Sequence, residues 1–144
     1  MYKLILICLL GVAGTLSAAE PTDFFGIKPA RSQTFGNITR YYRSDGSSMG
    51  HSEIFGNTTR YYKANGSGAG RSEKSGNTIR FYNPNGSSAG KAVTYGDITR
   101  LYHADGKSAG QSQTFGNTTR YYKPNGSGAG RKEINGSTSR YYKP

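Results

Sequence analysis

The chain has 144 residues, a single cysteine and a formal net charge of +11, and only 33% of its residues are hydrophobic. With so few apolar residues and one cysteine, neither a conventional aliphatic core nor a disulfide framework is expected. The strong positive charge indicates an anionic partner, such as an acidic glycan, lipopolysaccharide or an anionic lipid surface. A solvated basic face that prevents self-association is the alternative interpretation.

Residues 1–19 have the pattern of a secretory signal peptide. Lys3 supplies the positive start, residues 4–14 form an apolar run, and residues 17–19 read Ser-Ala-Ala before the expected cleavage site. An uncleaved anchor is the alternative, but the run is short for a membrane span. We therefore predict a secreted or periplasmic protein.

The mature chain is expected to begin near Glu20 and to have no transmembrane span. Cys8 lies inside the apolar run, so the mature chain would contain no cysteine and no metal site built on thiolates. A short linker over residues 20–30 would precede the rest of the protein.

From residue 31 onward, a unit of twenty residues recurs without insertion or deletion. Such a strict period is typical of repeat architectures, which are held together by contacts between neighbouring repeats. The unit contains one arginine column: Arg40, Arg60, Arg80, Arg100, Arg120 and Arg140. We assign six repeats to one domain over 31–144: 31–50, 51–70, 71–90, 91–110, 111–130 and 131–144.

Two turn signals divide each repeat. In the fifth repeat they are Gly116-Asn117 and Asn125-Gly126, and the segments between them are rich in threonine and tyrosine. Such turns flanked by β-forming residues predict hairpins. We predict an all-β fold, a largely single-layer antiparallel meander of about twelve short strands. Disorder is the alternative, because the chain is basic and rich in glycine, serine and asparagine, but the regular tyrosine columns oppose it.

The arginine column favours a meander over a stacked β-solenoid or a curli-like amyloid. In a stacked architecture, equivalent arginines would lie about 4.8 Å apart and repel one another. In a meander they lie two strands apart, about 9.6 Å, where salt screens most of the repulsion.

Two-residue loops would set the strand register. They place Glu53 opposite Arg60, and equivalently Glu73 opposite Arg80 and Glu133 opposite Arg140, as charge pairs. They also place Tyr82 opposite Arg71 as a cation–π pair, and they cover strand glycines with aromatic rings. At the Asn-Gly and Asp-Gly turns, a three-residue loop with the glycine as a bulge residue is the alternative, and it would slip the pairing by one.

The segment GNTTRYYKPNGS is similar to the YD repeats of bacterial Rhs-type secreted proteins. Its Tyr-Tyr pair followed by a glycine turn also resembles the aromatic hairpins of choline-binding cell-wall repeats. Both resemblances cover residues 31–143 in outline, although Lys63 and Lys123 stand where the YD aspartate would be and the chain has no tryptophan. The resemblance implies a secreted bacterial hairpin repeat used as a shell, scaffold or surface-binding module, and it transfers no individual site residue.

No constellation of catalytic residues stands apart from the repeat. His51 and His103 fall in different columns, and no nucleophile has a base at a suitable spacing. We therefore predict a protein that is not an enzyme and that has no metal site and no cofactor. The signal peptide argues against a cytoplasmic nucleic-acid partner.

Our first functional hypothesis is a non-catalytic module that binds anionic envelope or extracellular polymers through a basic, tyrosine-rich sheet. The alternative is a self-assembling structural, surface-layer or matrix protein, whose open sheet edges pair with other copies. For the first hypothesis, the candidate ligand-binding residues are Arg60, Tyr62, Arg80, Tyr82, Arg120 and Tyr122.

Overall fold

The computed structural model describes residues 29–144. The predicted signal peptide and most of the linker therefore lie outside the described residues, and in the described part no helix is long and apolar enough to cross a membrane. The described residues form β1 (Arg31–Phe35), β2 (Ile38–Tyr42), β3 (Ser48–Phe55), β4 (Thr58–Lys63), β5 (Gly68–Ser75), β6 (Thr78–Tyr82), β7 (Ser88–Tyr95), β8 (Ile98–Tyr102), β9 (Ser108–Phe115), β10 (Thr118–Tyr122), β11 (Gly128–Asn135) and β12 (Thr138–Tyr142).

The twelve strands form one antiparallel sheet that closes into a barrel. Each strand pairs with its neighbours in sequence, which confirms the all-β meander. β1 also pairs with β12, through Arg31 opposite Arg140, Ser32 opposite Ser139 and Gln33 opposite Thr138. The expectation that the first and last hairpins leave open sheet edges is therefore wrong. Strand twist accumulates around the sheet until the last strand meets the first, and closure removes the edges.

The Gly-Asn turns are two-residue loops, as predicted. Phe35 pairs with Ile38, so only Gly36 and Asn37 lie between the paired residues. Gly36 has a φ of +58°, which suits the first central position of a type II′ turn. The predicted register across these turns is confirmed in every hairpin, including Glu53 opposite Arg60.

The loops at the Asn-Gly and Asp-Gly turns are longer than the two residues that we predicted. The amide of Arg43 donates to the carbonyl of Ser47 at 2.9 Å, and the amide of Gly46 donates to the carbonyl of Arg43 at 3.1 Å. Gly46 has a φ of +84°. This pattern is a three-residue loop with a type I turn and a glycine bulge, so the two-residue prediction is wrong here and its alternative is right.

A second bulge cancels the slip that the longer loop introduces. Tyr42 pairs with Ser48 but Tyr41 pairs with Gly50, so Met49 is an extra residue on β3. The same shift occurs in the other four hairpins of this kind. The predicted aromatic-over-glycine pairs are therefore present, for a reason the sequence analysis did not include.

Alternate residues of each strand face the barrel interior, where aromatic rings and small residues form the core. Tyr61 and Phe81 are completely buried. The hydroxyl groups of Tyr41 and Ser52 hydrogen-bond at 2.9 Å, and those of Tyr61 and Ser72 at 3.3 Å. The central cluster comprises Tyr61, Ala69, Phe81, Ala92, Leu101 and Ala109. Tyrosine, serine and alanine thus fill the interior of a chain that has too few aliphatic residues for a conventional core.

One basic residue lies inside the barrel instead of on its surface. Lys132 is 2% exposed, and its Nζ lies 5.5 Å from the ring centroid of Tyr141. It stands in the column that serine occupies at 32, 52, 72 and 112. Its charge therefore does not contribute to the outer surface.

The aspartates of the two Asp-Gly loops, Asp45 and Asp105, lead us to expect that the fold loses stability in acid. The pKa of Asp45 is held below its ordinary value of 3.8, first because the backbone N–H of Ser47 donates to it and then because the Ser47 hydroxyl does so. Lys107 lowers the pKa of Asp105 in the same way, first through its backbone N–H. Because both folded pKa values are depressed, this contribution is present above the unfolded pKa and is lost as the pH falls through the folded values.

A matched variant tests that expectation. Asparagine occupies the same position in other loops, where the Oδ1 of Asn65 accepts from the amide of Ser67 at 3.1 Å and from its hydroxyl at 2.7 Å. The double variant Asp45→Asn/Asp105→Asn should therefore keep the turns and be about as stable at pH 7. In urea titrations between pH 7 and pH 2, it should lose less stability than the parent, and parallel curves would contradict this assignment.

Candidate anion-binding surface

The outer face of the barrel carries a belt of basic side chains. The six column arginines all point outward and are exposed. The next strand in sequence, or β1 in the case of Arg140, places a residue opposite each of them. We define the basic belt as the six column arginines together with the basic residues opposite them, which are Arg31, His51, Arg71, Lys91 and Arg131.

Like charges face each other directly across this belt. Arg60 lies opposite Arg71, and Arg120 lies opposite Arg131. Arg80 opposite Lys91 and Arg140 opposite Arg31 complete four such pairs. Like charges opposite each other destabilise a sheet, in contrast to the gain of roughly 0.2–1 kcal/mol from opposite charges. Sheet pairing by itself therefore does not favour these four like-charged pairs.

The glutamates pair along their own strands, which corrects the expected charge pairs. Nε of Arg71 lies 3.0 Å from Oε1 of Glu73, and Nε of Arg131 lies 2.8 Å from Oε1 of Glu133. Glu53 lies opposite Arg60 in the register, but its Oε1 is 3.5 Å from Nε2 of His51. Among the described residues, the ion pairs of these glutamates thus leave out the column arginines.

Aromatic rings beside the two-residue turns lie near three of the column arginines, Arg60, Arg100 and Arg120. The guanidinium of Arg60 lies 5.6 Å from the ring centroid of Phe55, and that of Arg120 lies 5.8 Å from Phe115. These rings sit beside the Gly-Asn turns and are about half exposed. A cation–π contact at an exposed site contributes only about 0.5–1 kcal/mol. An anionic ligand that binds these guanidinium groups more strongly than the ring does would therefore replace the ring contact.

The outward tyrosines stack under cationic side chains of the neighbouring strand, as predicted. The guanidinium of Arg71 lies 4.4 Å from the ring centroid of Tyr82, and that of Arg131 lies 4.4 Å from Tyr142. The ring of His51 stacks on Tyr62 with centroids 4.9 Å apart. Tyr62, Tyr82 and Tyr142 thus fix the positions of basic groups and fill part of the surface between two strands.

One groove in the outer face brings several of these features together. It has a volume of about 200 Å³, and its walls include Arg60, Tyr62, Arg71 and Pro84. Gly68 is among the residues that line it, and a Cβ added to Gly68 would meet no atom within 4 Å. Pockets for drug-sized ligands occupy about 300–1,000 Å³, so this groove suits one sugar ring or one small anionic group.

The structure places the predicted site residues on this outer face as three Arg-Tyr pairs. Arg60 and Tyr62 meet in the groove, whereas Arg80 lies beside Lys91 and Tyr82 supports Arg71. Arg120 and Tyr122 lie on the strand next to Arg131. The positions of Arg71 and Arg131 opposite the column arginines Arg60 and Arg120 were not predicted from the sequence. The register that sets Tyr61 opposite Gly70 also sets Arg60 opposite Arg71, so the signal was available.

Groups suited to catalysis or metal binding do not assemble in the part of the chain that the structure describes. No cluster of three or more histidine, cysteine, aspartate or glutamate side chains is found among residues 29–144. His51 is half-buried against Tyr62, and His103 begins the loop after β8, on a different hairpin. These positions suit structural roles for both histidines.

Comparison of the sequence with protein-family models and with curated proteins finds no match. The resemblance to YD and choline-binding repeats therefore stays a prediction from sequence motifs.

Proposed function

We propose that this protein is a non-catalytic module that binds acidic polysaccharides or similar anionic envelope polymers through the basic belt. The observation that carries the proposal is the set of like-charged pairs across neighbouring strands, such as Arg60 with Arg71. An anionic ligand between two such arginines would turn a destabilising pair into two charge-assisted contacts.

The flanking tyrosines support a saccharide as the ligand. Tyr62 lines the groove beside the two arginines, and its half-buried ring offers an apolar surface next to the charge. Sites of this kind combine aromatic surface with a few convergent polar groups, and arginine recognises carboxylate and sulfate by paired N–H donors. A sugar unit that carries an acidic group satisfies both kinds of surface at once.

The location of the protein follows from the predicted signal peptide. We propose a secreted or periplasmic protein, akin to bacterial hairpin repeats, which would meet such polymers outside the cytoplasm. The alternative of a self-assembling structural protein is weakened, because β1 and β12 pair with each other. Concentration-dependent light scattering without any ligand would revive it.

Salt dependence tests the proposal. The affinity for heparin, a sulfated glycan, and for polygalacturonate, a carboxylated glycan, should fall by at least about tenfold between about 50 and about 200 mM salt, because counterions are released on binding. Uncharged dextran should not bind. Failure to bind either acidic glycan at low salt, or affinity that is independent of salt, would overturn the proposal.

Charge-matched variants test the belt itself. Arg60→Gln/Arg120→Gln should weaken heparin binding by about tenfold or more, because each change removes a charge-assisted contact. Arg43→Gln/Lys107→Gln removes the same charge from loops outside the belt and should change the affinity much less. Equal losses in both variants would indicate attraction to net charge alone.

A further inference from the structure

We propose that the barrel carries two equivalent acidic-sugar sites on opposite sides, so that it bridges two polymer chains. The inference rests on the proposed function and adds the number, the location and the orientation of its sites. It begins with an identity inside the repeats. The segments 58–63 and 118–123 both read TTRYYK, and the segments 65–71 and 125–131 both read NGSGAGR.

The groove described above belongs to the first of these segments. Arg60 and Tyr62 come from β4, and Arg71 comes from β5 after the bulge. Gly68 lines this groove and an added Cβ there would meet no atom within 4 Å, so we expect a side chain at this position to take up part of the groove. The Nε of Arg71 is held by Glu73 and its guanidinium lies over the ring of Tyr82, so this arginine is fixed in place before any ligand arrives.

The second segment repeats this arrangement on β10 and β11. Arg120 lies opposite Arg131, whose guanidinium contacts Glu133 and the ring of Tyr142 at distances within 0.2 Å of those in the first site. Gly128 corresponds to Gly68, and an added Cβ there would also meet no atom within 4 Å. Pro144 follows β12 as Pro84 follows β6.

The other three Asn-Gly or Asp-Gly hairpins differ at both key positions. Serine replaces the glycine equivalent to Gly68 at Ser48, Ser88 and Ser108, and in each case its hydroxyl accepts a hydrogen bond from the glycine amide two residues on. The residue equivalent to Arg71 is histidine, lysine or glutamine at 51, 91 and 111. Among the described hairpins, only these two therefore combine a glycine at this position with a pair of arginines on neighbouring strands.

Strand order places the two sites on opposite sides. Five strands lie between β4 and β10 in either direction around the closed barrel. With strands about 4.8 Å apart, the two walls lie on the order of 20 Å from each other, and their outer faces point away from each other. A short ligand cannot occupy both sites, so two occupied sites mean two ligand molecules or two separate stretches of polymer.

Substituting Gly68 and Gly128 with serine tests the two-site proposal separately from the proposed function. Isothermal titration with a heparin tetrasaccharide should give two equivalent sites in the parent and one in Gly68→Ser or Gly128→Ser. The double variant Gly68→Ser/Gly128→Ser should lose at least about tenfold in affinity for the tetrasaccharide with no change in charge. Lys107→Gln should keep two sites, because Lys107 lies in the loop after β8, outside the basic belt and outside the residues of both sites.

Polymer bridging is the second readout. The parent should cross-link long heparin chains, seen as turbidity at low salt, whereas either single serine variant should bind them without cross-linking. If the double serine variant binds the tetrasaccharide like the parent, the two-site proposal is overturned while binding to the belt stands. If the parent binds no acidic glycan, the proposed function fails and this inference fails with it.

Discussion

Replacing Gly110 with alanine is expected to lower the free energy of unfolding by about 2–4 kcal/mol. The residue has a φ of +116°, and an added Cβ would lie 2.3 Å from the carbonyl oxygen of Tyr122. That oxygen belongs to the backbone of the neighbouring strand, so the clash can be relieved only by moving the sheet. Gly90 faces the same contact with Tyr102, and Gly90→Ala should behave alike.

Two controls separate the clash from backbone strain. Gly106 has a φ of +85° with open space around its missing Cβ, so Gly106→Ala should cost only about 1–2 kcal/mol. Gly128→Ala has neither strain nor a clash and should stay within about 0.5 kcal/mol of the parent. Urea unfolding followed by tyrosine fluorescence and circular dichroism measures all four variants. A Gly110→Ala loss no larger than that of Gly106→Ala would contradict the close approach.

Phe81→Ala should cost about 3–5 kcal/mol, because it leaves a cavity among completely buried neighbours. Phe81 is 0% exposed, as are Tyr61 and Ala92. Domains of this size are stable by only about 5–15 kcal/mol, so the variant should be close to unfolding at room temperature. Phe35→Ala is the matched control, because Phe35 is 54% exposed on the outer face. Equal losses in the two variants would contradict the assignment of Phe81 to the interior.

A double-mutant cycle tests the internal hydrogen bonds at the same position. The hydroxyl of Tyr61 bonds Ser72, eleven residues later, whereas Phe81 has Ala92 at that spacing. Phe81→Tyr alone would bury a hydroxyl without its partner, at a cost of about 1–3 kcal/mol. Adding Ala92→Ser should recover much of that loss, because it recreates the Tyr61–Ser72 pair. Additive effects of the two substitutions would indicate that they do not contact each other.

Much of the local structure could be predicted because turn chemistry acts over a few residues. Gly56 and Asn57 are enough to specify a two-residue turn, and the pairing of Glu53 with Arg60 follows from it. At the other turns, the loop and the bulge at Met49 each change the register by one residue. Their effects cancel at Tyr41, so a pattern of paired residues could not reveal either one.

The closed barrel and the ion pairs depend on information that the repeat pattern does not contain. Closure is set by the accumulated twist of twelve strands, whereas each repeat specifies only its own hairpin. Glu73 has Arg80 across the strand pair and Arg71 on its own strand, and the choice depends on side-chain rotamers supported by the ring of Tyr82. The sequence therefore identified the arginine and tyrosine columns that lie on the outer face, but it did not predict the arginine opposite Arg60.

The pairing of the first and last strands has a consequence for how the chain folds. Every other strand pair joins neighbours in sequence, which keeps loop-closure entropy small, whereas Arg31 and Arg140 are separated by most of the described chain. The register of β1 with β12 has three residue pairs, against five between β1 and β2. Since non-local contacts slow folding, we expect the hairpins to assemble quickly and the final closure to limit the rate. The seam between β1 and β12 would then also be the first part of the barrel to open.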